Sequence, residues 1–370
     1  MIKEENQENK RITELDGLRG MAILMVLSFH YINNQLVNNT SSIGRYLAKA
    51  TSFGWVGVDL FFVLSGFFIG SILIKNNGGR KYFTTFYLRR LLRIVPNYYL
   101  LIAVSSLIIA IPYFGNNLFL TGHNTVPKWS YYGMLHNVFM AHQNTLGNDS
   151  ISVVWSIGIE EQFYILLPFV IFLVNARWLP VMLGVAFFSA PLIRMQFQNW
   201  IPPYVLLPCR MDSLAAGVLI AYANIYSDLY SLSRKYYLWI MGIMTLDVLI
   251  SALFYWKFND LGIFRNSFFA IFFTGCVILA ITRKESIYGA FLRNKALVWI
   301  GSLSYSLYLF HYLILGFAHQ ITGQHDIGIY NLKGALVSIA AFIFSLLMAW
   351  LVYLKLETPF VLAGKKLRYN

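Results

Sequence analysis

The chain has 370 residues, of which 58% are hydrophobic and only 12% are charged, and its mean hydropathy is +0.58. Soluble domains carry roughly 25% charged residues, so the composition excludes a conventional soluble enzyme. The many apolar residues also exclude a disordered chain. Two cysteines, Cys209 and Cys276, are too few for a disulfide framework or a thiolate zinc site. The formal charge of +13 indicates nucleic-acid binding only if the basic residues form a patch.

Ten apolar segments follow one another along the chain, most of them close to the roughly 20 residues that a helix needs to cross a bilayer. The segments are Leu15–Val37, Phe53–Leu73, Phe86–Ile111, Ile151–Val174, Leu179–Ile193, Tyr204–Tyr222, Tyr236–Tyr255, Ile263–Ile281, Ala296–Phe317 and Leu336–Leu356. They predict an all-α, polytopic membrane protein with about ten transmembrane helices. We expect residues 1–370 to form a single membrane-embedded domain.

The lysines and arginines predict the orientation. If ten helices leave both termini on one side, 21 of the 29 basic residues fall on that side and 8 on the other. Since cytoplasmic loops carry the excess of basic residues, both termini are predicted to be cytoplasmic, with short tails at 1–14 and 357–370. The basic excess is therefore a topology signal, and we expect no nucleic-acid partner.

The longest loop, 112–150, lies on the outer side in this topology, and its length suggests a lid or a mouth over a site. It contains the histidines His123, His136 and His142. No acidic residue lies near them at ligand spacing, so we expect no metal site.

Ionisable residues within the first segment point to a polar path. Arg19 and His30 are eleven residues apart, which places them within about 20° on one helix face and about 16 Å apart along the axis. Asp16 lies on the same side. An ionisable group in a membrane helix costs a few kcal/mol unless it faces a cavity or a partner. We expect the three to face one cavity; alternatively, Arg19 reaches lipid headgroups and His30 bonds a neighbouring helix.

The fourth segment contains the sequence WSIGIEEQFYILLP, in which Glu160 lies at a depth comparable to that of His30. A carboxylate beside a histidine orients the imidazole and raises its basicity. We therefore predict a His30–Glu160 pair. The alternative is a structural glutamate bonded to the main chain.

Arg90 and Arg93 share a helix face at the cytoplasmic edge of the third segment. They either anchor the helix in the positive-inside sense or clamp an anionic donor, because arginine suits phosphate. Nearer the outer side, Arg210 and Asp212 pair with each other, or with Asp59 and Glu160.

In the ninth segment, Tyr305, Tyr308 and His311 form a polar seam, which lines a cavity wall or cross-links helices. Glycines in the second segment predict close helix packing: Gly54, Gly57, Gly66 and Gly70.

Six blocks, in this order, resemble the acyltransferase 3 family of bacterial integral-membrane acyltransferases, from about residue 13 to residue 360. They are TELDGLRGMAILMVLSFHY, GVDLFFVLSGFFI, RRLLRIVPNYY, WSIGIEEQFYILLP, RMDSLAAG and GSLSYSLYLFHYLI. The family's paired arginine and histidine fall on Arg19 and His30, and its two spaced arginines on Arg90 and Arg93. Its tryptophan–serine, glutamate and phenylalanine–tyrosine motif falls on Trp155, Ser156, Glu160, Phe163 and Tyr164.

The resemblance implies transfer of an acyl group, usually acetyl, from cytoplasmic acyl-CoA to a hydroxyl of an envelope glycan, a lipid-linked sugar or a small metabolite, at the bacterial cytoplasmic membrane. We expect His30 to act as general base or to carry the acyl group, and Glu160 to orient it. Arg19, Arg90 and Arg93 are expected to hold the donor. Candidates for lining the site or its acceptor side are Asp16, Asp59, Trp155, Ser156, Tyr164, Arg210, Asp212, Tyr305, Tyr308 and His311.

Some family members carry an appended SGNH-type domain, and no such domain follows within these 370 residues. The expectation is that the membrane domain or a partner completes the transfer. A different class also fits the buried charges: a transporter or flippase whose polar path involves no covalent chemistry. A purely structural membrane protein is disfavoured, because buried charges are costly without a function.

Overall fold

The computed structural model describes residues 12–39, 41–111, 126–258, 262–323 and 327–369. Within these ranges all regular structure is helical, and no residue is in a strand. The predicted all-α class is confirmed. Residues 1–11 of the predicted N-terminal tail and residues 112–125 of the predicted outer loop, with His123, lie outside the described residues.

The helices are numbered here in chain order. The first nine are α1 (Thr13–Ser28), α2 (Ser42–Thr51), α3 (Gly57–Lys75), α4 (Tyr82–Ala110), α5 (Lys128–Tyr132), α6 (His136–Gln143), α7 (Trp155–Leu173), α8 (Leu179–Arg194) and α9 (Ile201–Val205). The rest are α10 (Met211–Tyr226), α11 (Leu229–Lys235), α12 (Tyr237–Phe258), α13 (Arg265–Thr282), α14 (Ile287–Leu292), α15 (Lys295–Ile321), α16 (Leu332–Val352) and α17 (Thr358–Lys365).

Eight helical stretches of the described chain are long and apolar enough to cross a membrane. The fifth and sixth apolar segments instead correspond to α8 and α10, which have 16 residues each. At 1.5 Å per residue, such a helix is about 24 Å long, shorter than the hydrocarbon core. Every predicted segment thus falls on a helix, and the polytopic membrane architecture is confirmed.

Two π-helical turns interrupt the regular helices. α1 continues into the turn Phe29–Asn33, which carries His30, and then into Asn34–Leu36. The Gln35 side-chain amide donates to the main-chain oxygen of Tyr31 at 3.0 Å. A second π turn, Tyr353–Glu357, joins α16 to α17. Because π turns occur frequently at functional sites, the first π turn makes the surroundings of His30 a candidate functional site.

The predicted close packing at glycines is confirmed. A Cβ atom on Gly66 of α3 would overlap the Leu214 carbonyl oxygen of α10, and one on Gly217 would overlap the Val63 carbonyl oxygen of α3. A Cβ atom on Gly57 would likewise overlap the Ala22 carbonyl oxygen of α1. Small residues let membrane helices approach closely without any hydrophobic drive between them, so these glycines set the spacing of the central helices.

Gly66→Val is expected to destabilise the protein by about 1–3 kcal/mol, the usual cost of overpacking a filled interface. The measurement is thermal unfolding of the purified protein in detergent. Gly184→Val on α8 is the matched control, because nothing lies within 4 Å of its added Cβ. Equal melting temperatures for the two variants would contradict the role given to Gly66.

The chain end predicted as a short tail is folded against α4. The helix α17 is followed by residues whose main-chain oxygens accept hydrogen bonds from α4 and the turn before it. Thr85 Oγ1 donates to the Arg368 oxygen at 2.8 Å, and the Lys81 amide donates to the Tyr369 oxygen at 3.0 Å. The segment thus covers the N-terminal part of α4, which carries Arg89 and Arg90.

Candidate functional site

A polar cavity of about 290 Å³ opens between α1, α3, α4, α7 and α15. We call it the arginine cavity. Its charged and hydroxyl-bearing lining residues are Asp16, Arg19, Ser65, Arg90, Arg93, Ser156, Glu160, Tyr164, Ser304, Tyr305 and Tyr308. The volume is close to the lower limit of about 300 Å³ for ligand pockets, so the cavity has room for the reactive end of a ligand.

Three guanidinium groups and two carboxyl groups line the arginine cavity. Arg19 lies 3.9 Å from Asp16 on the same helix. The Arg90 guanidinium stacks 5.4 Å from the Tyr164 ring, whose hydroxyl is 2.6 Å from Ser65 Oγ. Such a site attracts anions, and arginine forks bind phosphate in particular. The structure thus brings together the three arginines that the sequence assigned to donor binding.

A second cavity, of about 280 Å³, lies nearer the C-terminal end of α1. We call it the histidine cavity. It is lined mainly by aromatic side chains together with His30 and one arginine, and its aromatic and charged lining residues are Phe29, His30, Trp55, Trp155, Trp200, Tyr204, Arg265, Tyr308 and Tyr312. An aromatic lining with few polar groups is typical of small-molecule sites.

His30 forms a pair with His311 of α15. His311 Nδ1 lies 2.7 Å from the Tyr308 carbonyl oxygen and 3.1 Å from that of Leu307. Because both oxygens can only accept, His311 Nδ1 carries the proton and its Nε2 is the acceptor. His30 Nδ1, 3.1 Å from that Nε2 and 3.1 Å from the Val26 oxygen, therefore donates. The lone pair of His30 is then on Nε2, as a general base requires.

The predicted His30–Glu160 pair is wrong. Glu160 lines the arginine cavity, whereas His30 lines the histidine cavity and has His311 as its ring partner. Trp155 lines the histidine cavity, and Glu160 lies five residues further along α7, about 7.5 Å deeper. The expectation that Asp16, Arg19 and His30 face one cavity is also wrong. Asp16 and Arg19 line the arginine cavity, whereas His30, about 16 Å further along the helix axis, lines the histidine cavity.

Tyr308 and Val58 line both cavities and form the boundary between them. The Tyr308 hydroxyl donates to the Val153 oxygen at 2.9 Å and lies 2.8 Å from Ser156 Oγ. The Phe61 ring packs edge-on against it, with centroids 6.1 Å apart. A polar cavity and an aromatic cavity are thus separated by about the thickness of one side chain.

Of the other predicted lining residues, Asp16, Ser156, Tyr164 and Tyr305 lie in the arginine cavity, and Trp155 in the histidine cavity. His311 is fully buried behind His30 and lines neither cavity. The expectation that His311 lines the acceptor side is wrong, and the residue contacts His30 instead.

Asp59, Arg210 and Asp212 are fully buried and line neither cavity. Arg210 bonds Asp59 at 3.1 Å, and Asp212 bonds Arg194 at 2.8 Å. The predicted acceptor-side role is therefore corrected to a buried ion-pair network. The physical reason is that each charge has an oppositely charged partner from another helix. For Asp212, that partner is Arg194 of α8.

The Arg210 guanidinium also lies 5.6 Å from the Trp155 ring and 5.5 Å from the Tyr204 ring. These two rings are 4.3 Å apart and form part of the wall of the histidine cavity. The ion-pair network thus supports the cavity from behind.

The described part of the outer loop contains a structural histidine. His136 stacks on Tyr131 with centroids 5.1 Å apart, and its Nε2 lies 2.8 Å from the Val154 oxygen. Burial lowers the pKa of His136 to about 4, so it stays neutral at physiological pH.

Among the described residues no group of three or more His, Cys, Asp or Glu residues could hold a metal ion. From the same loop, Leu146 reaches the lining of the histidine cavity.

Several residues of the site were not predicted. Trp55, Tyr204, Arg265 and Tyr312 line the histidine cavity, and only the adjacency of Tyr312 to His311 signals this in the sequence. Glu357 accepts from Ser306 Oγ at 2.8 Å and from Asn97 Nδ2 at 3.3 Å, close to the arginine cavity. Glu357 lies just beyond the last predicted apolar segment, which ends at Leu356, so the segment pattern did not indicate this contact.

The chain was compared with known proteins. A family model described as an acyltransferase domain, Acyl_transf_3, matches residues 12–354. O-acetyltransferase OatA of Staphylococcus aureus strain NCTC 8325 is 30% identical over 95% of this chain and 57% of its own length, and OatA of strain COL gives the same values. A further protein of strain COL, provisionally named O-acetyltransferase SACOL0978, is 26% identical over 96% of this chain and 58% of its own.

The chain thus spans a little over half the length of these relatives. No solved structure matches it. The family model covers nearly the whole chain and both cavities, from Asp16 to Tyr312. The family that the six sequence blocks resemble is therefore confirmed, and this multi-pass membrane protein belongs to the acyltransferase 3 family.

Proposed function

We propose that the protein transfers an acyl group, in the simplest case acetyl, from cytoplasmic acyl-CoA to a hydroxyl on the outer side of the bacterial cytoplasmic membrane. The acceptor is an envelope glycan, a lipid-linked sugar or a small metabolite. One observation carries the proposal: a cavity rich in arginine and a cavity containing a histidine base meet at Tyr308. Residues 1–370 act as one membrane-embedded domain with both termini in the cytoplasm.

Arg19, Arg90 and Arg93 bind the phosphates of the donor. They lie at the end of the site that the positive-inside pattern assigns to the cytoplasm. The cavity is too small for a whole nucleotide, so the phosphates bind at its cytoplasmic mouth and the acyl thioester end extends inward. Glu160 and Asp16 balance part of the arginine charge and hold the guanidinium groups in place. Glu160 thus acts on the donor side, and its role through His30 is not retained.

His30 activates the acceptor. Its Nε2 takes the proton of the acceptor hydroxyl while the oxygen attacks the thioester carbonyl at the Tyr308 boundary. The C–O bond forms, the C–S bond breaks, and the proton returns from His30 to the departing thiolate of CoA. His311 keeps the proton on His30 Nδ1 and accepts its hydrogen bond, which stabilises the imidazolium. This is the function that a buried aspartate has in a serine-hydrolase triad.

The proposal is tested in inside-out membrane vesicles supplied with acetyl-CoA labelled in the acetyl group. Label should enter envelope glycans or lipids, and mass spectrometry of a deletion strain should show loss of one acetyl increment that the wild-type gene restores. Transport of a solute or lipid across the vesicle membrane without acetyl-CoA consumption would favour the transporter reading instead.

Arg90→Gln is expected to raise the KM for acyl-CoA by about 10- to 100-fold, because a hydrogen bond to a charged group contributes about 1.5–3 kcal/mol. The change in kcat should be small, since the interaction is made equally with the bound donor and the transition state. The measurement is the acyl-CoA dependence of transfer in vesicles.

Arg177→Gln is the matched control for Arg90→Gln. Arg177 is an exposed residue in the turn after α7, and its guanidinium lies 5.7 Å from the neighbouring Trp178 ring. Its KM should equal that of the wild type. An unchanged KM in Arg90→Gln would exclude Arg90 from donor binding.

A further inference from the structure

The short helix α2 has three distinct faces. Its small residues Gly44 and Ala48 are buried, whereas Ile43 and Tyr46 are 75% and 73% exposed. At 100° per residue, Ile43, Tyr46, Leu47 and Ala50 form one arc, and Arg45 and Lys49 form another about 130° away. The helix contains no acidic residue, and within the described chain Arg45 and Lys49 make no ion pair. One face thus meets the protein, one is apolar and one is cationic.

The position of α2 in the chain places it at a membrane surface. The first membrane-spanning stretch ends at Leu36, and the second, Ser42–Lys75, has 34 residues, of which α3 from Gly57 onward supplies 19, enough to cross the bilayer without α2. A helix between two spans lies near one leaflet, at the end of α1 opposite the N-terminus. Large apolar side chains exposed beside basic ones are the signature of helices that lie in the interface, with apolar residues among acyl chains and cations at lipid phosphates.

The same helix contacts the turn that carries His30. Asn33, the last residue of the π turn Phe29–Asn33, donates from Nδ2 to the Ala48 carbonyl oxygen at 2.6 Å. α2 begins with Ser41 as its N-cap, whose Oγ accepts from the Gly44 amide at 3.0 Å. The capped helix is therefore fixed to the π turn through its small face, and its other two faces remain available.

We propose that α2 docks on the phospholipid leaflet opposite the N-terminus, with Ile43, Tyr46 and Leu47 inserted and Arg45 and Lys49 at lipid phosphates, and so holds the His30 turn at that surface. The charge complementarity with anionic lipid selects a phospholipid leaflet as the occupant rather than a second apolar helix. The docking requires only that the chain spans a membrane, and it is independent of the acyl-transfer chemistry.

The test uses single spin-labelled cysteines at 43, 45, 47 and 49 in the full chain carrying Cys276→Ser, reconstituted in phosphatidylglycerol-containing vesicles. Native Cys209 is fully buried and can stay. Collision with oxygen, which concentrates in hydrocarbon, should dominate at 43 and 47. Collision with a water-soluble nickel chelate should dominate at 45 and 49, and Ile343→Cys, exposed in mid-α16, gives the hydrocarbon reference.

Equal access of the nickel chelate to all four positions would overturn the proposal, because α2 would then lie in water. Low access of both reagents at 43 and 47 would also overturn it, since protein would then cover the apolar face. With Arg45 and Lys49 present, access of the nickel chelate at Ile43→Cys should depend on the phosphatidylglycerol content of the vesicles. In the Arg45→Gln/Lys49→Gln variant, this dependence should be lost. A dependence that persists would exclude lipid phosphate as the partner of the cations.

Discussion

Replacement of His30 by glutamine should lower the rate of acyl transfer by about 10²- to 10⁴-fold, the usual contribution of a general base. Glutamine fills a similar volume and can still donate toward His311 Nε2, but it cannot take a proton. The π turn and the His311 contact should therefore persist while the chemistry is lost. The measurement is label transfer from acetyl-CoA in vesicles, normalised to the amount of protein in the membrane.

His142→Gln is the matched control for this experiment. His142 is an exposed histidine of α6 that lines neither cavity, so its replacement should leave transfer at the wild-type rate. If His30→Gln retained transfer within a few-fold of the wild type, His30 would not be the base, and the proposed mechanism would fail.

Asp59→Ala should destabilise the protein by about 3–5 kcal/mol, the cost of leaving one partner of a buried ion pair uncompensated. Asp59 and Arg210 are both fully buried, 3.1 Å apart. With Asp59 removed, the Arg210 guanidinium keeps its aromatic neighbours but loses its counter-charge. We expect a markedly lower melting temperature in detergent and a reduced yield of folded protein.

The double variant Asp59→Leu/Arg210→Met should recover most of that loss, because replacing both charges of a buried pair by apolar groups is often close to neutral. Asp228→Asn serves as a control for the loss of a carboxylate at an exposed position. A double variant as unstable as Asp59→Ala would mean that Arg210 stabilises the fold through its contacts with Trp155 and Tyr204 rather than through the ion pair.

The family motifs correctly predicted which charged residues line the arginine cavity, but not which side chains contact one another. Arg19, Arg90, Arg93 and Glu160 were all singled out, because charged residues in membrane helices stand out against an apolar background. Their arrangement was not predictable, since side-chain directions across a helix bundle depend on the rotation and depth of each helix. Periodicity fixes positions only within one helix.

The clearest error concerns His30. Sequence reasoning chose Glu160 because both lie at similar distances from the ends of their segments, and such estimates are uncertain by several residues. An error of one helical turn moves a side chain by about 5.4 Å, enough to exchange one cavity for the other. The π turn at Phe29–Asn33, which adjusts the direction of His30, has no recognisable sequence signal.

The sequence by itself determined the all-α membrane architecture, because hydrocarbon requires about 20 apolar residues for each crossing helix and leaves that requirement visible in composition. It also determined the close approach of α3 to its neighbours, since glycines at such spacing have few other uses in a membrane helix. Only the tertiary structure decided that His30 pairs with His311, 281 residues away, and that Asp212 pairs with Arg194. The physical reason is that helix pairing in a bundle is a collective result of packing, and the contacts between helices distant in sequence leave no trace within either helix alone.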